Sequence, residues 1–312
     1  MFAFVFPGQG SQAVGMGQEI YKAFPVAREV FQEIDETLKQ KLGQLIFQGP
    51  FETLTLTENA QPALMAVSLA LMRVLTHDAK LDLFKKVTYM AGHSLGEYSA
   101  LASAEALTLS QTARLLKLRG KAMQQAVSPD QGGMVALLGA DLAQAEEIAL
   151  KAAEGQVCEI ANDNAPGQIV ISGHQEAIVR ATELAREAGI KRVIPLPVSA
   201  PFHCSLMQPA AKSMEEALVK ESFNQPLVPV VSNVRAEAET VPGVLKALLV
   251  QQVTGRVRWR ESVLKLKELG ITSIVEIGAG KVLTGLTKRI VPELEAFSLN
   301  TPADIDLFIQ RF

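Results

Sequence analysis

Five residues constrain this chain more than any others: Gly92-His93-Ser94-Leu95-Gly96, set between the apolar run VTYMA and the alanine-rich run YSALASAEAL. An apolar strand before and a helix after give the G-x-S-x-G pattern its structural context. A sharp strand-to-helix turn leaves no room for side chains two residues either side of its apex, so both flanks must be glycine. Ser94 is then held in a strained backbone conformation, with its hydroxyl at a helix N-terminus where N–H groups favour developing negative charge. The same glycines would also suit an ordinary turn with Ser94 as an N-cap. The flanking strand and helix favour a nucleophile.

A serine nucleophile needs a base, and the chain has four histidines. His77 closes a helix beside Asp78 and His174 opens one after a glycine, both surface or capping positions. His93 adjoins Ser94 on the turn, where neighbouring side chains diverge, which suits a packing role. His203 lies in VSAPFHCSLM, a small-residue and proline loop before a helix. Elimination leaves His203 as general base, with a buried structural histidine as the alternative. Cys204 sits too close in the chain for attack geometry and reads as a small buried thiol.

Strands and helices alternate along the chain, which argues for a parallel sheet covered by helices, an α/β fold. Between about 129 and 197 the rhythm changes to βαββαβ: GMVALLG, a helix, VCEIAND and QIVISG around the turn NAPG, a helix, then KRVIPLP. That order is the ferredoxin-like arrangement, which buries its own small core. Residues 1–128 and 198–312 are therefore expected to form a large catalytic body, with 129–197 inserted. With 312 residues, 48% of them hydrophobic, there is ample material for both. A net charge of −3 gives no reason to expect nucleic acid as a partner. Pro7 and Gly8 break the first apolar run too early for a signal peptide, and no run is long enough for a membrane span. The two cysteines form no CxxC pair. These features predict free thiols, a cytoplasmic setting and no metal site; the expected state is a monomer.

Gly8-Gln9-Gly10-Ser11-Gln12-Ala13 follows the first strand and formally satisfies G-x-G-x-x-A. A dinucleotide site would need a second strand about 20 residues on, ending in an acid. Glu29, Glu33 and Asp35 instead fall in a helical pattern. The glycines better serve backbone donation, with the Gln9 and Leu95 N–H groups forming an oxyanion hole.

PGQGSQ, GHSLGEYSA, LRGKAMQ, NDNAPGQIVISG, APFH and a late Gln252 occur in this order. Together they resemble the malonyl-CoA:acyl carrier protein transacylases of fatty acid synthesis and the related acyltransferase domains of polyketide synthases, over nearly the whole chain. The resemblance implies an α/β-hydrolase-like body with a ferredoxin-like insertion, and malonyl transfer from malonyl-CoA to the phosphopantetheine thiol of acyl carrier protein without a bound cofactor. It makes Ser94 the acylated residue and His203 its partner, with Gln9 and Leu95 as oxyanion amides. Arg119 would grip the malonyl carboxylate, and the Gln252 backbone carbonyl would orient His203 in place of a triad acid. Phe202 falls where the family reads the substrate's α-carbon, and a small residue is common there in the stand-alone enzymes. A guanidinium suits a carboxylate through two parallel charge-assisted bonds. On residue chemistry alone, though, a solvated arginine on a basic helix is the favoured reading of Arg119, beside Lys117 and Lys121, which are expected to be solvated.

A serine esterase or thioesterase on the same turn is the competing enzyme, and a non-catalytic docking subunit a third reading. The carrier is expected to be acidic. Lys191, Arg192, Lys281 and Lys288 are candidates for attracting it.

Overall fold

The computed structural model describes residues 1–128, 130–198 and 200–312. Pro129, where the insertion is expected to begin, and Ser199, in the loop leading to His203, lie outside the described residues. In chain order the strands are β1 (Phe2–Phe6), β2 (Val87–Gly92), β3 (Gly132–Leu138), β4 (Cys158–Ala165) and β5 (Gln168–His174). They continue with β6 (Arg192–Pro195), β7 (Val230–Val231), β8 (Ala238–Glu239), β9 (Ser273–Ile277) and β10 (Glu295–Leu299).

The larger sheet has the order β10-β9-β1-β2-β7-β8, parallel except for the β7–β8 pair. Strand alternation feeds both of its faces. Phe4, Phe6, Met90 and Val275 join one apolar cluster, while Ala3, Val5, Ala91 and Ile274 join another around Trp259. Helices cover both faces, as burial of a parallel sheet requires. The smaller sheet is antiparallel, with the order β4-β5-β3-β6. Helices Leu142–Ala153 and Gln175–Glu187 pack over it around Val135, Ile148, Ile171 and Ile178. The expected α/β fold with a βαββαβ unit is present.

Some boundaries differ from the sequence expectations. The run PLVPVVSNV yields only the two-residue β7, since Pro226 and Pro229 have no N–H for a ladder. The helix expected to open at Asn59 starts at Thr57, which puts Pro62 inside it. The C-terminal Pro302–Arg311 helix was not read from sequence. Its signals were there: Thr301 and Asp304 form a capping box, with Pro302 in the first turn.

Candidate active site

β1 and β2 lie side by side with Phe6 opposite Gly92, so the loops that follow them emerge together at the C-terminal edge of the sheet. Ligands of open parallel sheets bind at that edge. The His93 N–H donates to the Phe6 carbonyl at 3.0 Å. A Cβ on Gly8 would lie 2.7 Å from the His93 carbonyl oxygen, so only glycine lets the PGQG turn approach this closely. The demand at the turn itself is stricter. A Cβ on Gly92 would fall 1.8 Å from the Gly96 backbone, and one on Gly96 2.2 Å from the Phe6 carbonyl oxygen. Ser94 sits at φ 53°, the strained region expected of a turn apex.

The Ser94 hydroxyl lies 2.8 Å from His203 Nε2. His203 is also held at positive φ, 58°, which the sequence did not foretell. Its Nδ1–H donates to the Gln252 carbonyl at 2.9 Å and the Gly255 carbonyl at 3.2 Å. Two carbonyl acceptors fix the proton on Nδ1 and leave Nε2 to accept from serine. Burial, then the nearby Arg119 guanidinium, hold the His203 pKa down to about 3, so the ring is neutral at ordinary pH.

Arg119 is fully buried. It donates from NH1 to Gln61 Oε1 at 2.8 Å, and from NH2 to Gln252 Oε1 at 2.8 Å and to Ser94 Oγ at 3.1 Å. Its Nε has no hydrogen-bond partner among the described residues. Gly120 lets the Leu109–Gln125 helix, which carries Arg119, approach the backbone of Thr57 and Glu58. Lys121 is exposed as expected, but Lys117 is half-buried and bonded to Asn59 Oδ1 at 3.0 Å and Glu58 at 3.2 Å. The start of the Thr57–Arg73 helix covers it, which corrects the expectation of a solvated lysine.

Gln252 touches every part of the cluster. Besides its two carbonyl oxygens, its Nε2 donates to the Ser94 carbonyl at 2.9 Å and to Glu97 Oε2 at 2.7 Å. The Asn233 amide bridges the turn, accepting from the Ser94 N–H and donating to the Gly92 carbonyl, both at 2.7 Å. Leu95 stands at the N-cap of the Gly96–Ser103 helix. Among the described residues, neither its N–H nor that of Gln9 donates to a carbonyl. Phe202 is buried in the main core, one residue before His203. The other histidines take no part in the Ser94 pair. His93 Nε2 lies 2.8 Å from Asn164 Oδ1, with its ring against Trp259. His174 Nδ1 accepts from the Val157 N–H at 2.9 Å. Glu33 and Asp35 lie on the Pro25–Leu38 helix, away from any nucleotide-binding role. Both cysteines are free and buried.

A family model for the acyl transferase domain matches residues 3–298. The chain belongs to the acyl transferase family. It is 47% identical over 302 residues to a malonyl CoA-acyl carrier protein transacylase of Escherichia coli (strain K12), covering 97% of this chain and 96% of that one. Acyl-carrier-protein-S-malonyltransferase from Bartonella henselae superposes with a TM-score of 0.97 at 50% identity, covering 99% of this chain and 98% of that one. A type II PKS acyl-carrier protein in complex with its malonyl-transacylase matches with a TM-score of 0.96 at 43% identity, over 100% of this chain and 99% of that one.

In this acyl transferase, sequence reasoning missed Gln61, Glu97 and Asn233. Glu97 stands three residues beyond the nucleophile and carried a signal: an acid in the first turn of a helix whose other residues are small or apolar. Burial raises its pKa to about 7, against hydrogen bonds from Asn233 and Gln252 and the charge of Arg119. It is not a triad acid, because His203 Nδ1 faces carbonyl oxygens.

Proposed function

We propose that this chain is a malonyl-CoA:acyl carrier protein S-malonyltransferase, working through a malonyl-serine intermediate in two half-reactions. Ser94 Oγ attacks the thioester carbonyl while His203 Nε2 takes its proton and passes it to the departing coenzyme A sulfur. The Gln9 and Leu95 amides receive the oxyanion. The carrier's phosphopantetheine thiol then gives its proton to His203 and attacks the ester, and His203 returns that proton to the departing Ser94 Oγ. The Gln252 and Gly255 carbonyls keep His203 in the required tautomer, and Phe202 bounds the space at the substrate's α-carbon. No step calls for a resident cofactor or metal.

Arg119 carries the reading. A fully buried guanidinium with Nη2 3.1 Å from Ser94 Oγ and an Nε without a partner among the described residues suits a carboxylate attached close to the reacting carbonyl. Malonyl thioesters have that shape; acetyl thioesters lack the charge. The names of the relatives agree with this assignment. We also assign residues 129–197 as a unit inserted into the 1–128 and 198–312 body, and the protein as a cytoplasmic monomer. No helix among the described residues is long and apolar enough to cross a membrane.

Intact-mass measurement after malonyl-CoA, with and without carrier protein, tests the reading. A malonyl adduct that is stable alone and moves to the carrier is the expected result. An adduct that hydrolyses as fast without the carrier would make the protein a thioesterase.

A further inference from the structure

Arg119 and Glu97 are both buried, at 0% and 1% exposure, yet no salt bridge joins them among the described residues. The Gln252 amide stands between, accepting from Arg119 NH2 at 2.8 Å and donating to Glu97 Oε2 at 2.7 Å. Glu97 Oε2 also accepts from the Asn233 N–H at 3.0 Å, while its Oε1 has no hydrogen-bond partner among the described residues. A buried cation needs a nearby anion, and Glu97 is the carboxylate in this network. A carboxylate arriving against Arg119 would place two anions around one cation in a desolvated space, where like charges disfavour double ionisation.

We propose that Glu97 is the resident countercharge of Arg119 and takes up a proton from solvent when a malonyl carboxylate docks on that guanidinium. The inference rests on the malonyl-transfer reading above. The covalent step is itself proton-neutral: serine O–H and thioester become ester and thiol, His203 carrying the proton between them. The additional proton converts the Glu97 carboxylate to its acid, so the site gains a substrate anion without a change in net charge.

The titratable and charged groups around Glu97 leave a clear window. Arg119 comes from the Leu109–Gln125 helix, Tyr98 from Glu97's own helix, and His93 and His203 from the loops. Asn233, from the turn after β7, and Gln252, from the Pro242–Thr254 helix, do not titrate; β1, β2 and the Thr57–Arg73 helix also pack against Glu97's helix, and of their residues only Glu58 and Arg73, near the ends of the last, are charged. Both histidines are pushed down by burial, His203 to about 3, and Tyr98 is pushed up. Glu97, at about 7, titrates at neutral pH. An added anion raises its pKa further, so uptake on loading is largest above that value. It vanishes near pH 6, where the free enzyme already holds the proton.

The test is stoichiometric loading in weak buffer with a pH indicator, intact mass being followed in parallel. With malonyl-CoA at about pH 8, uptake should approach one proton per malonyl-serine and fall towards zero at about pH 6. Acetyl-CoA should give none, and Glu97→Gln, which keeps an acceptor for both N–H donors, should give none with either donor. Should that variant fail to fold, wild-type infrared difference spectra with carbon-13-labelled malonyl decide, by gaining an unlabelled protonated-carboxyl band. In the wild-type protein at about pH 8, a malonyl adduct without proton uptake overturns the inference and spares the enzyme assignment, as does equal uptake with acetyl-CoA or in Glu97→Gln. Absence of any malonyl adduct would remove the enzyme assignment, and this inference with it.

Discussion

Around Ser94 the body buries Glu97, Arg119, His203, Asn233 and Gln252 in one polar network, whereas the β3–β6 sheet packs its helices over alanine, isoleucine, leucine and valine. In that smaller sheet the buried Asp163 lies on the edge strand β4 and is neutralised by a bidentate Arg260 at 2.7–3.0 Å. Beside it the Asp163 N–H donates to the Val257 carbonyl and the Val257 N–H to the Ala161 carbonyl, tying β4 to the segment before the Trp259–Glu268 helix. Arg119 bonds directly to amide and hydroxyl groups, and its countercharge Glu97 stands one amide away, beyond Gln252. The difference teaches where each charge is directed. A structural charge is closed by its own partner, while a charge meant for substrate is held by neutral dipoles and left with capacity to bind. At the site Ser94 and His203 are both held at positive φ and face each other across 2.8 Å.

The largest break is expected from Ser94→Ala: no malonyl adduct by intact mass, with an unfolding midpoint close to the parent because only the hydroxyl is lost. An adduct in this variant would displace Ser94 as nucleophile.

His203→Ala should slow loading by roughly 10²–10⁴-fold in single-turnover kinetics. A folded pKa of about 3 keeps the base neutral through the ordinary histidine range. Wild-type loading should therefore show no loss of base function as pH falls from 7 to 5. A sharp fall centred near 6.5 would mean that the ring is far less perturbed.

Arg119→Ala should reduce kcat/KM for malonyl-CoA by on the order of 30-fold or more, as loss of a buried charged partner of about 2–5 kcal/mol implies. Acetyl-CoA, without a carboxylate, should keep its slow background rate. Arg119→Lys should recover only part of the malonyl activity, since an ammonium cannot form the fork. An unchanged malonyl-over-acetyl ratio in Arg119→Ala would place carboxylate recognition elsewhere.

The insert should respond the other way round. Asp163→Ala removes charged hydrogen bonds and should lower stability by about 1.5–3 kcal/mol in urea titration. Its effect on malonyl loading should be smaller than that of any substitution above. A loading defect larger than that of Arg119→Ala would end the separation between structural and substrate-directed charge.

The smallest effect concerns Lys191, Arg192, Lys281 and Lys288, all exposed. If they draw in an acidic carrier, salt should weaken transfer to the carrier more than transfer to free pantetheine, because exposed charges are screened over about 10 Å at 0.1 M. Equal salt sensitivity would remove them from the docking surface.

The catalytic turn was legible because its physics is local. Gly92 answers to a clash with Gly96 within one turn, although Gly96 answers also to the Phe6 carbonyl of β1, and the β1 and β2 runs announce their burial by composition. The βαββαβ order was legible for the same reason, each element carrying its own period. His203 was reached because four histidines left few alternatives, and Arg119 only through the family resemblance, since a guanidinium on a basic helix looks the same whether solvated or buried. Only the tertiary structure could decide that Arg119 is buried against Gln61, that Asn233 clamps a turn 139 residues away, and that Glu97 shares Gln252 with Arg119. Those contacts depend on which strand ends and helices meet at the sheet's C-terminal edge. Single polar residues far apart in the chain carry no period or spacing that records such a meeting.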